Sequence, residues 1–238
     1  MHVLALDTTN REGSVAIVDG ERVVFERCGD GSRSHGERLP DEVIRALAAS
    51  GLTSADVDLF AVASGPGSFT GLRIGIATIQ GLALVHRKRV VPVSALRAMA
   101  HAASTTLPEG SLVGAWMDAH RRDVFSAMYR VEHARPFALG RLKRLDGPTV
   151  ASPVDTLARW AAARLQPVCV VGDGAMKYIE ELAEVAPAQP APLLASVVAR
   201  IAADCHPGCS VDPAGVQPLY VRRPDAELAR DASRREVP

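Results

Sequence analysis

The stretch "SGPGSFTGLRIGIATIQG", from Ser64 to Gly81, contains five glycines and has no charged residue after Arg73. Two structures are compatible with it: a glycine loop that binds phosphate, or a helix whose missing side chains let another element lie close. A phosphate loop needs converging backbone N–H groups, usually with a lysine beside them. Here no lysine follows, the pattern is not G-x-x-x-x-G-K-[ST], and Pro66 removes one donor. The phosphate interpretation is therefore the weaker one.

The helix interpretation accounts for the spacing of the glycines. Ser68 or Thr70 can cap the first free N–H groups of a helix. Gly71 and Gly75 are four residues apart, so they share one helix face. Each helical glycine costs roughly 1 kcal/mol relative to alanine. Such a cost is expected where another backbone must approach closely.

A second pair of small residues, Ala77 and Gly81, repeats this spacing on a neighbouring face. The apolar residues around the resulting groove are Ile74, Ile76, Ile79 and Leu82. The close neighbour is either a helix of a partner protein or an element of the same lobe. Both explanations are open at the level of the sequence, and we favour the partner.

Apolar strands form a similar hairpin twice along the chain. "VLALDTTNREGSVAIVDGERVVFE" has two or three strands, with "DG" at Asp19 and Gly20 as a hairpin turn. "GAWMDAHRRDVFSAMYRVE" again has an apolar strand, an aspartate at its end, a polar turn and a returning strand. Asp7 and Asp118 occupy matching positions in the two hairpins. The pattern indicates two copies of one unit, one opening each half of the chain.

Helices alternate with buried strands in the rest of the sequence. "RLPDEVIRALAASGL" predicts a helix with Val43, Ile44 and Leu47 on one face and Gly51 just past its end. "VDLFAVASG" and "PVCVVGDG" are nearly continuous apolar runs, which are typical of buried strands. "SPVDTLARWAAARL" and "LLASVVARIAADC" predict two later helices. This alternation indicates an α/β protein.

The chain is predicted to form two lobes. We place the first at 1–104 and the second at 105–222, with a rigid proline-rich linker inside the second lobe from Pro187 to Pro192. The remaining residues, 223–238, mix arginines with acidic residues and are expected to form a charged, mobile tail.

The composition limits the class of function. The chain has 238 residues, 47% of them hydrophobic, a formal net charge of zero and a pI near 7.1. A neutral chain lacks the basic field of a protein that binds nucleic acid by itself. No targeting segment and no membrane span are visible, and the four scattered cysteines predict no disulfide framework. A metal site in "CHPGC" is a weak alternative, and a reducing cytoplasm is the expected compartment.

The chain resembles the TsaB family, formerly called YeaZ, over about residues 2 to 223. The matching segments are "LALDTTNREGSVAI", "SGPGSFTGLRIG", "DAHRRDVFSAMY" and "VQPLYVRRP". The resemblance implies an actin-like (ASKHA) fold. Each of its two related lobes would open with a β-hairpin and contain a mixed sheet flanked by helices.

The resemblance also implies a role and a set of partners. TsaB-like proteins bind and stabilise TsaD, their paralogue, in the complex that adds threonylcarbamoyl to N6 of the adenosine beside the anticodon of tRNA. They use two N-terminal helices, pair with themselves when TsaD is absent, and are joined in the complex by the ATPase TsaE. The expected contact residues are Gly71, Ile74, Gly75, Thr78 and Leu82, with Val43 and Leu47. The tRNA would be reached mainly through the complex.

A catalytic role of this chain is not expected. TsaD-like chains hold a metal with H-x-x-x-H after a P-V dipeptide, whereas "PVSALRAMAHA" has Ala95 and Met99 at those positions. His101 is nearby but alone, and we interpret it as a helix surface residue. No catalytic residue and no metal ligand is therefore assigned.

Nucleotide binding is the remaining chemical question. Asp7, Thr8 and Thr9 match the positions where actin-like kinases hold phosphate and magnesium, but the second loop has Arg121 and Arg122 in place of glycines. We interpret this site as vestigial or weakly nucleotide-binding. No cofactor is expected to be tightly bound, although ATP or ADP is compatible with the complex. The alternatives to a partner subunit are an actin-like phosphotransferase and a homodimeric interaction protein with another client.

Overall fold

The computed structural model describes residues 1–222. The predicted charged tail at 223–238 lies outside the described residues. In chain order the elements are β1 (His2–Asp7), β2 (Ser14–Asp19), β3 (Arg22–Cys28), α1 (His35–Ala49), β4 (Leu59–Gly65), α2 (Phe69–Val85), β5 (Val90–Ser94), α3 (Ala95–Ala103), β6 (Leu112–Asp118), β7 (Val124–Val131), β8 (Leu142–Ala151), α4 (Pro153–Ala162), β9 (Cys169–Val171), α5 (Asp173–Lys177), α6 (Ile179–Leu182), β10 (Ala188–Gln189) and α7 (Ala195–Cys205).

The described residues form two five-stranded sheets of the same topology. Their strand orders are β3-β2-β1-β4-β5 and β8-β7-β6-β9-β10. In each sheet three antiparallel strands are followed by two parallel ones. Asp7 pairs with Ser14 and Asp118 pairs with Val124, so both aspartates end the first strand of their hairpin. The duplicated hairpin and the two-lobed actin-like architecture are thus confirmed.

The central strands are buried on both faces, as their apolar runs predicted. β4 is buried along its whole length. It lies parallel to β1 on one side and to β5 on the other. Because covered parallel strands have no solvent face, they need no polar alternation.

Two helices join the sheets around one shared core. α7 follows the second sheet in the chain but packs on β1, β2 and β4 of the first. α3 follows the first sheet and packs on β6 and β7 of the second. The main apolar cluster therefore contains residues of both sheets. Each of these two helices packs against the sheet of the other half of the chain.

The segment after α7 runs back along the first sheet and α2. Val90 and Val211 form an antiparallel bridge at the edge of β5. Leu219 N–H donates to the Ser64 carbonyl at 2.7 Å, and Gln80 donates to the carbonyl of Pro213 at 2.8 Å. This part of the predicted second lobe thus lies against the first sheet. Part of the proline-rich stretch that we interpreted as a linker is β10, which pairs with β9.

The start of α1 is fixed by a local motif that is visible in the sequence. Ser34 and Glu37 form a reciprocal capping box, with the Ser34 N–H donating to Glu37 Oε2 at 2.8 Å. Pro40 lies inside the helix, past its first turn.

Two further features concern the cysteines and the helix lengths. Cys205 and Cys209 form a disulfide at the end of α7, which the scattered cysteines had not led us to expect. Within residues 1–222, no helix combines the length and the apolar character that crossing a bilayer requires.

Candidate functional site: the α1–α2 face and the cleft between the lobes

Gly71 and Gly75 face the inside of their own lobe. A Cβ on Gly71 would meet the carbonyl oxygen of Thr8, and one on Gly75 would meet the Thr8 hydroxyl and lie 3.0 Å from its methyl group. Thr8 is fully buried at the end of β1. The expectation that this glycine pair faces a partner helix is therefore wrong. The glycines are needed because α2 crosses close to the end of β1.

The expected contact residues of α1 are also part of the core. Val43 is 5% exposed and Leu47 is 8% exposed, and both belong to the cluster between α1, α2 and the first sheet. Neither can form a contact surface for a partner, which corrects the expectation. Both lie on the face that packs inward because their three- and four-residue spacing matches that of Leu39 and Ala46.

The expected residues of α2 beyond the glycine pair are half-buried. Ile74, Thr78 and Leu82 keep part of their surface exposed. Ile74 reaches towards α1, since its Cδ1 lies 3.8 Å from a Cβ built on Gly36. These three residues are therefore only partly available at the surface of α2. That they contact a partner protein stays a prediction.

The solvent-exposed side of the α1–α2 pair carries large apolar side chains. Ile44 is 63% exposed on α1, and Leu84 and Val85 are 70% and 76% exposed on α2. On α2, Ala77 and Gly81 have the spacing of one helix face, and both are exposed. A Cβ on Gly81 would meet nothing within 4 Å. We call this surface, formed by Ile44, Ala77, Gly81, Leu84 and Val85, the α1–α2 face.

Asp7, which the sequence analysis matched to the phosphate and magnesium position of actin-like kinases, ends β1 two residues before Thr9, which lines the cleft between the lobes. It is 3% exposed. Its Oδ1 accepts from Thr9 N–H at 2.9 Å and from Thr9 Oγ1 at 2.6 Å. Burial raises the pKa of Asp7, while the two Thr9 hydrogen bonds lower it. The carboxylate therefore stabilises the turn after β1.

Asp118, the matching aspartate of the second lobe, is bound to a lysine. Its Oδ2 accepts from Lys177 Nζ at 2.8 Å, and its Oδ1 accepts from His120 N–H at 3.0 Å. The pKa of Lys177 is raised, chiefly by the hydrogen bond to Asp118. Burial raises the pKa of the neighbouring Asp173, which accepts from Asp118 N–H at 3.2 Å.

This arrangement does not fit a magnesium nucleotide held as in an actin-like ATPase. A magnesium ion needs carboxylate oxygens that are free to turn towards it. Thr9 holds Oδ1 of Asp7, and both oxygens of Asp118 accept hydrogen bonds, one of them from Lys177, whose ammonium already supplies a positive charge there. Among residues 1–222, no three His, Cys, Asp or Glu side chains come together as a metal-binding group.

The loop between β6 and β7 is left-handed over three consecutive residues. His120, Arg121 and Arg122 have φ values of 56°, 54° and 66°. Such a conformation costs non-glycine residues roughly 1–2 kcal/mol each. Glycine adopts this conformation without strain. In this chain, however, arginines occupy two of the three positions. Arg222 holds this loop by donating to the Ala119 carbonyl at 2.6 Å and to Asp123.

The positions compared with the metal ligands of TsaD lie in the apolar core. Ala95 is fully buried and Met99 is 2% exposed. His101 is fully buried as well, so its interpretation as a surface residue is wrong. Neither ring nitrogen of His101 has a partner among the described residues. Burial, followed by Arg97 and Arg141, lowers its pKa to about 3.

Two groups of residues beside these sites were not predicted from the sequence. The Arg38 guanidinium is buried against Glu42, which it meets at 2.6 Å, and it also binds the carbonyls of Arg11 and Glu12. The sequence does contain a signal for this pair, because an arginine and a glutamate four residues apart on a helix lie next to each other. Phe69 and Tyr220 form an aromatic pair at the mouth of the cleft, which no local pattern predicts because they are far apart in the chain.

Comparison with known proteins gives one matching family model. The model described as "TsaD: tRNA N6-adenosine threonylcarbamoyltransferase" matches residues 29–147, half of the chain. An uncharacterized protein of Mycobacterium tuberculosis is 32% identical over 230 residues, covering 94% of this chain and 93% of the relative.

Named relatives match a shorter part of the chain. The tRNA threonylcarbamoyladenosine biosynthesis protein TsaB of Haemophilus influenzae is 38% identical over 134 residues, 56% of either chain. TsaB of Escherichia coli is 37% identical over 132 residues, 55% of either chain. Among solved structures, YeaZ from Pseudomonas aeruginosa superposes with a TM-score of 0.75 at 28% identity, covering 92% of this chain and 99% of that one.

Proposed function

The chain belongs to the TsaB (YeaZ) family of tRNA threonylcarbamoyladenosine biosynthesis proteins, and from that premise we propose that it is a non-catalytic subunit that binds and stabilises TsaD. Its place in this tRNA modification follows from the family. The finer role, a partner that performs no chemistry itself, is our proposal.

The observation that carries the proposal is the exposed α1–α2 face. Three large apolar side chains, Ile44, Leu84 and Val85, are each more than 60% exposed on adjacent helices. Burying an aliphatic side chain of this size contributes roughly 1.5–3 kcal/mol. The small exposed residues Ala77 and Gly81 of α2 leave room for a helix of the partner to approach closely.

The cleft supports the non-catalytic part of the proposal. Asp7 and Asp118 are bound by groups of this chain, and Ala95 and Met99 lie in apolar packing. A phosphotransferase would need the first pair free for a metal nucleotide. In our proposal the phosphoryl and acyl chemistry therefore belongs to other subunits.

The remaining parts of the proposal concern partners and place. The same face pairs two copies of this chain when TsaD is absent, TsaE joins the complex, and tRNA is reached mainly through the complex. No nucleotide is held tightly by this chain alone, and ATP or ADP enters with the complex. We place the protein in the cytoplasm, where the Cys205–Cys209 disulfide would be exposed to reduction.

Gly81→Leu tests the proposal. A Cβ at position 81 meets no atom of this chain within 4 Å, but a leucine there would hold a partner helix away from Ala77. We expect co-purification with TsaD and self-association, measured by sedimentation, to weaken at least tenfold while the Tm is kept. Gly140→Leu is the matched control, because a Cβ on Gly140 also meets nothing within 4 Å. Unchanged TsaD binding by Gly81→Leu together with Ile44→Glu would disprove this surface.

A further inference from the structure

The Cys205–Cys209 disulfide lies where α7 ends and the last described segment of the chain begins. Cys205 is the final residue of α7 and is buried, whereas Cys209 is half-buried and packs on the main apolar cluster. The bond joins residues four apart in the chain, with their Cα atoms 5.7 Å from each other. It therefore fixes the turn through which the chain leaves the helix.

Few contacts hold the segment that follows this turn. Val211 exchanges two backbone hydrogen bonds with Val90 of β5, at 2.8 and 3.1 Å. Leu219 donates to the Ser64 carbonyl at the other end of the segment. Between these points Val216, 2% exposed, packs into the cluster between α1, α2 and the first sheet. Most of the other side chains of the segment are exposed or half-buried, so its attachment depends on a small number of contacts.

The segment covers two parts of the first lobe. β5 is the outer strand of its sheet, and within residues 1–222 the bridge at Val211 is the pairing found on its outer edge. Gln80 of α2 donates to the carbonyl of Pro213 at 2.8 Å, and Gln80 precedes Gly81 of the α1–α2 face. Loosening of the segment would therefore uncover a strand edge and remove a support of α2.

The redox state of this disulfide depends on its compartment. In a cytoplasm, where the proposed function places the protein, glutathione and thioredoxin reduce thiols, and disulfides are usually transient or redox-sensing. Cys209 is the less buried of the two cysteines, so exchange is expected at its sulfur. The other two cysteines, Cys28 and Cys169, are free thiols.

From the position of the disulfide and the small number of contacts beyond it, we propose that Cys205 and Cys209 form a thiol–disulfide switch that sets how firmly the segment 210–222 is held on β5 and α2. In the reduced form the turn keeps only backbone hydrogen bonds, such as that from Cys209 N–H to the Cys205 carbonyl at 3.2 Å. When this turn opens, Val211 is tethered by a longer free stretch of chain. Its effective concentration at the edge of β5 then falls.

The oxidising step is a thiol–disulfide exchange with a small-molecule disulfide such as oxidised glutathione. The Cys209 thiolate attacks this disulfide, forms a mixed disulfide and releases one glutathione thiolate. The Cys205 thiolate then attacks the Cys209 sulfur, forms the Cys205–Cys209 bond and releases the second glutathione thiolate. The two protons lost by the cysteines go to the two released thiolates, so two protein thiols are oxidised and one glutathione disulfide is reduced.

The full-length chain, equilibrated in oxidised and in reduced glutathione, tests the switch. The chain has four cysteines, so a thiol count after removal of glutathione should give two in the oxidised form and four in the reduced form. Hydrogen exchange of peptides covering 206–222 should be roughly tenfold faster in the reduced form, within the range that closure of a short ring provides. Peptides covering β9, which contains the free Cys169, should exchange equally in both forms.

Cys209→Ser should exchange at the fast rate in both buffers, because it cannot form the bond. Cys28→Ser is the matched control: it removes a free, exposed thiol and keeps the pair, so it should respond to glutathione like the wild-type chain.

Three results would overturn the switch: a thiol count that is the same in both buffers, equal exchange of 206–222 in the two forms, or slow exchange by Cys209→Ser. None of these measurements involves TsaD. A failure of the partner proposal and a failure of this one are therefore distinguishable.

Discussion

The hydroxyl of Thr8 fills the space that a side chain on Gly75 would need. Thr8 lies at the end of β1, and Gly75 lies in the second turn of α2. The glycine thus lets the helix lie against the strand end of its own lobe. In the sequence analysis, the contact with a partner was assigned to Gly75. The structure shows that Gly75 serves packing inside its own lobe, whereas Gly81 lies on the surface.

Gly75→Leu should therefore destabilise the protein, whereas Gly81→Leu should not. Leucine at position 75 must displace Thr8 or α2, and overpacking of this kind costs roughly 1–3 kcal/mol or more. For a chain of this size the Tm should fall by at least several degrees. Gly81→Leu replaces an exposed glycine and should raise stability by up to about 1 kcal/mol. Calorimetry of both variants measures the difference, and equal Tm values would contradict the assignment.

Arg38→Met should be strongly destabilising. The Arg38 side chain is 3% exposed and Glu42 is 15% exposed, so removal of the guanidinium leaves a buried carboxylate without its partner. Breaking such a pair costs roughly 3–5 kcal/mol. Arg130→Met is the control, because the Arg130–Glu132 pair is 40% and 32% exposed and contributes no more than about 1 kcal/mol. Denaturant unfolding should separate the two variants, and similar losses would show that burial of the Arg38 pair does not matter.

His101 should make the native protein less stable in mild acid. Its pKa of about 3 in the folded chain lies below the unfolded value, so the unfolded chain takes up a proton first as the pH falls through 6.5. Between pH 7 and pH 5 this single group should cost about 2 kcal/mol. His101→Leu removes the effect without stranding a hydrogen bond, since neither ring nitrogen has a partner among the described residues. Unfolding free energies at both pH values, native minus variant, isolate the histidine, and parallel pH profiles would refute the prediction.

The isolated chain should purify without a stoichiometric transition metal and should not transfer threonylcarbamoyl by itself. Ala95 and Met99 offer apolar packing in place of metal ligands. Elemental analysis and a transfer assay with intermediate and tRNA, with and without TsaD, provide the test. Product formed by this chain after removal of contaminating TsaD would end the partner proposal.

Local patterns in the sequence predicted several strands and helices and the duplicated hairpin, but not β10, which lies in the stretch interpreted as a linker. The hairpins whose first strands end at Asp7 and Asp118, the buried run of β4 and the helical spacing of α2 depend on neighbours a few residues apart, which the sequence displays directly. The family resemblance implied the actin-like fold, and the repeated hairpin agreed with it. The sequence also showed directly that the β6–β7 loop has arginines in place of glycines.

Only the tertiary structure decided which side of each helix is covered. Helical periodicity places Gly71 with Gly75 and Ala77 with Gly81, but it does not say which pair meets a strand. Which pair meets a strand depends on where β1 ends in the folded lobe. The position of β1 is set by the order of the strands in the sheet and by the packing of α3 and α7, each against the sheet of the other half of the chain. The same long-range packing buries His101 and brings Tyr220 to Phe69 across the chain. Contacts between residues far apart in the chain arise from the summed packing of many elements, and no local pattern in the sequence records them.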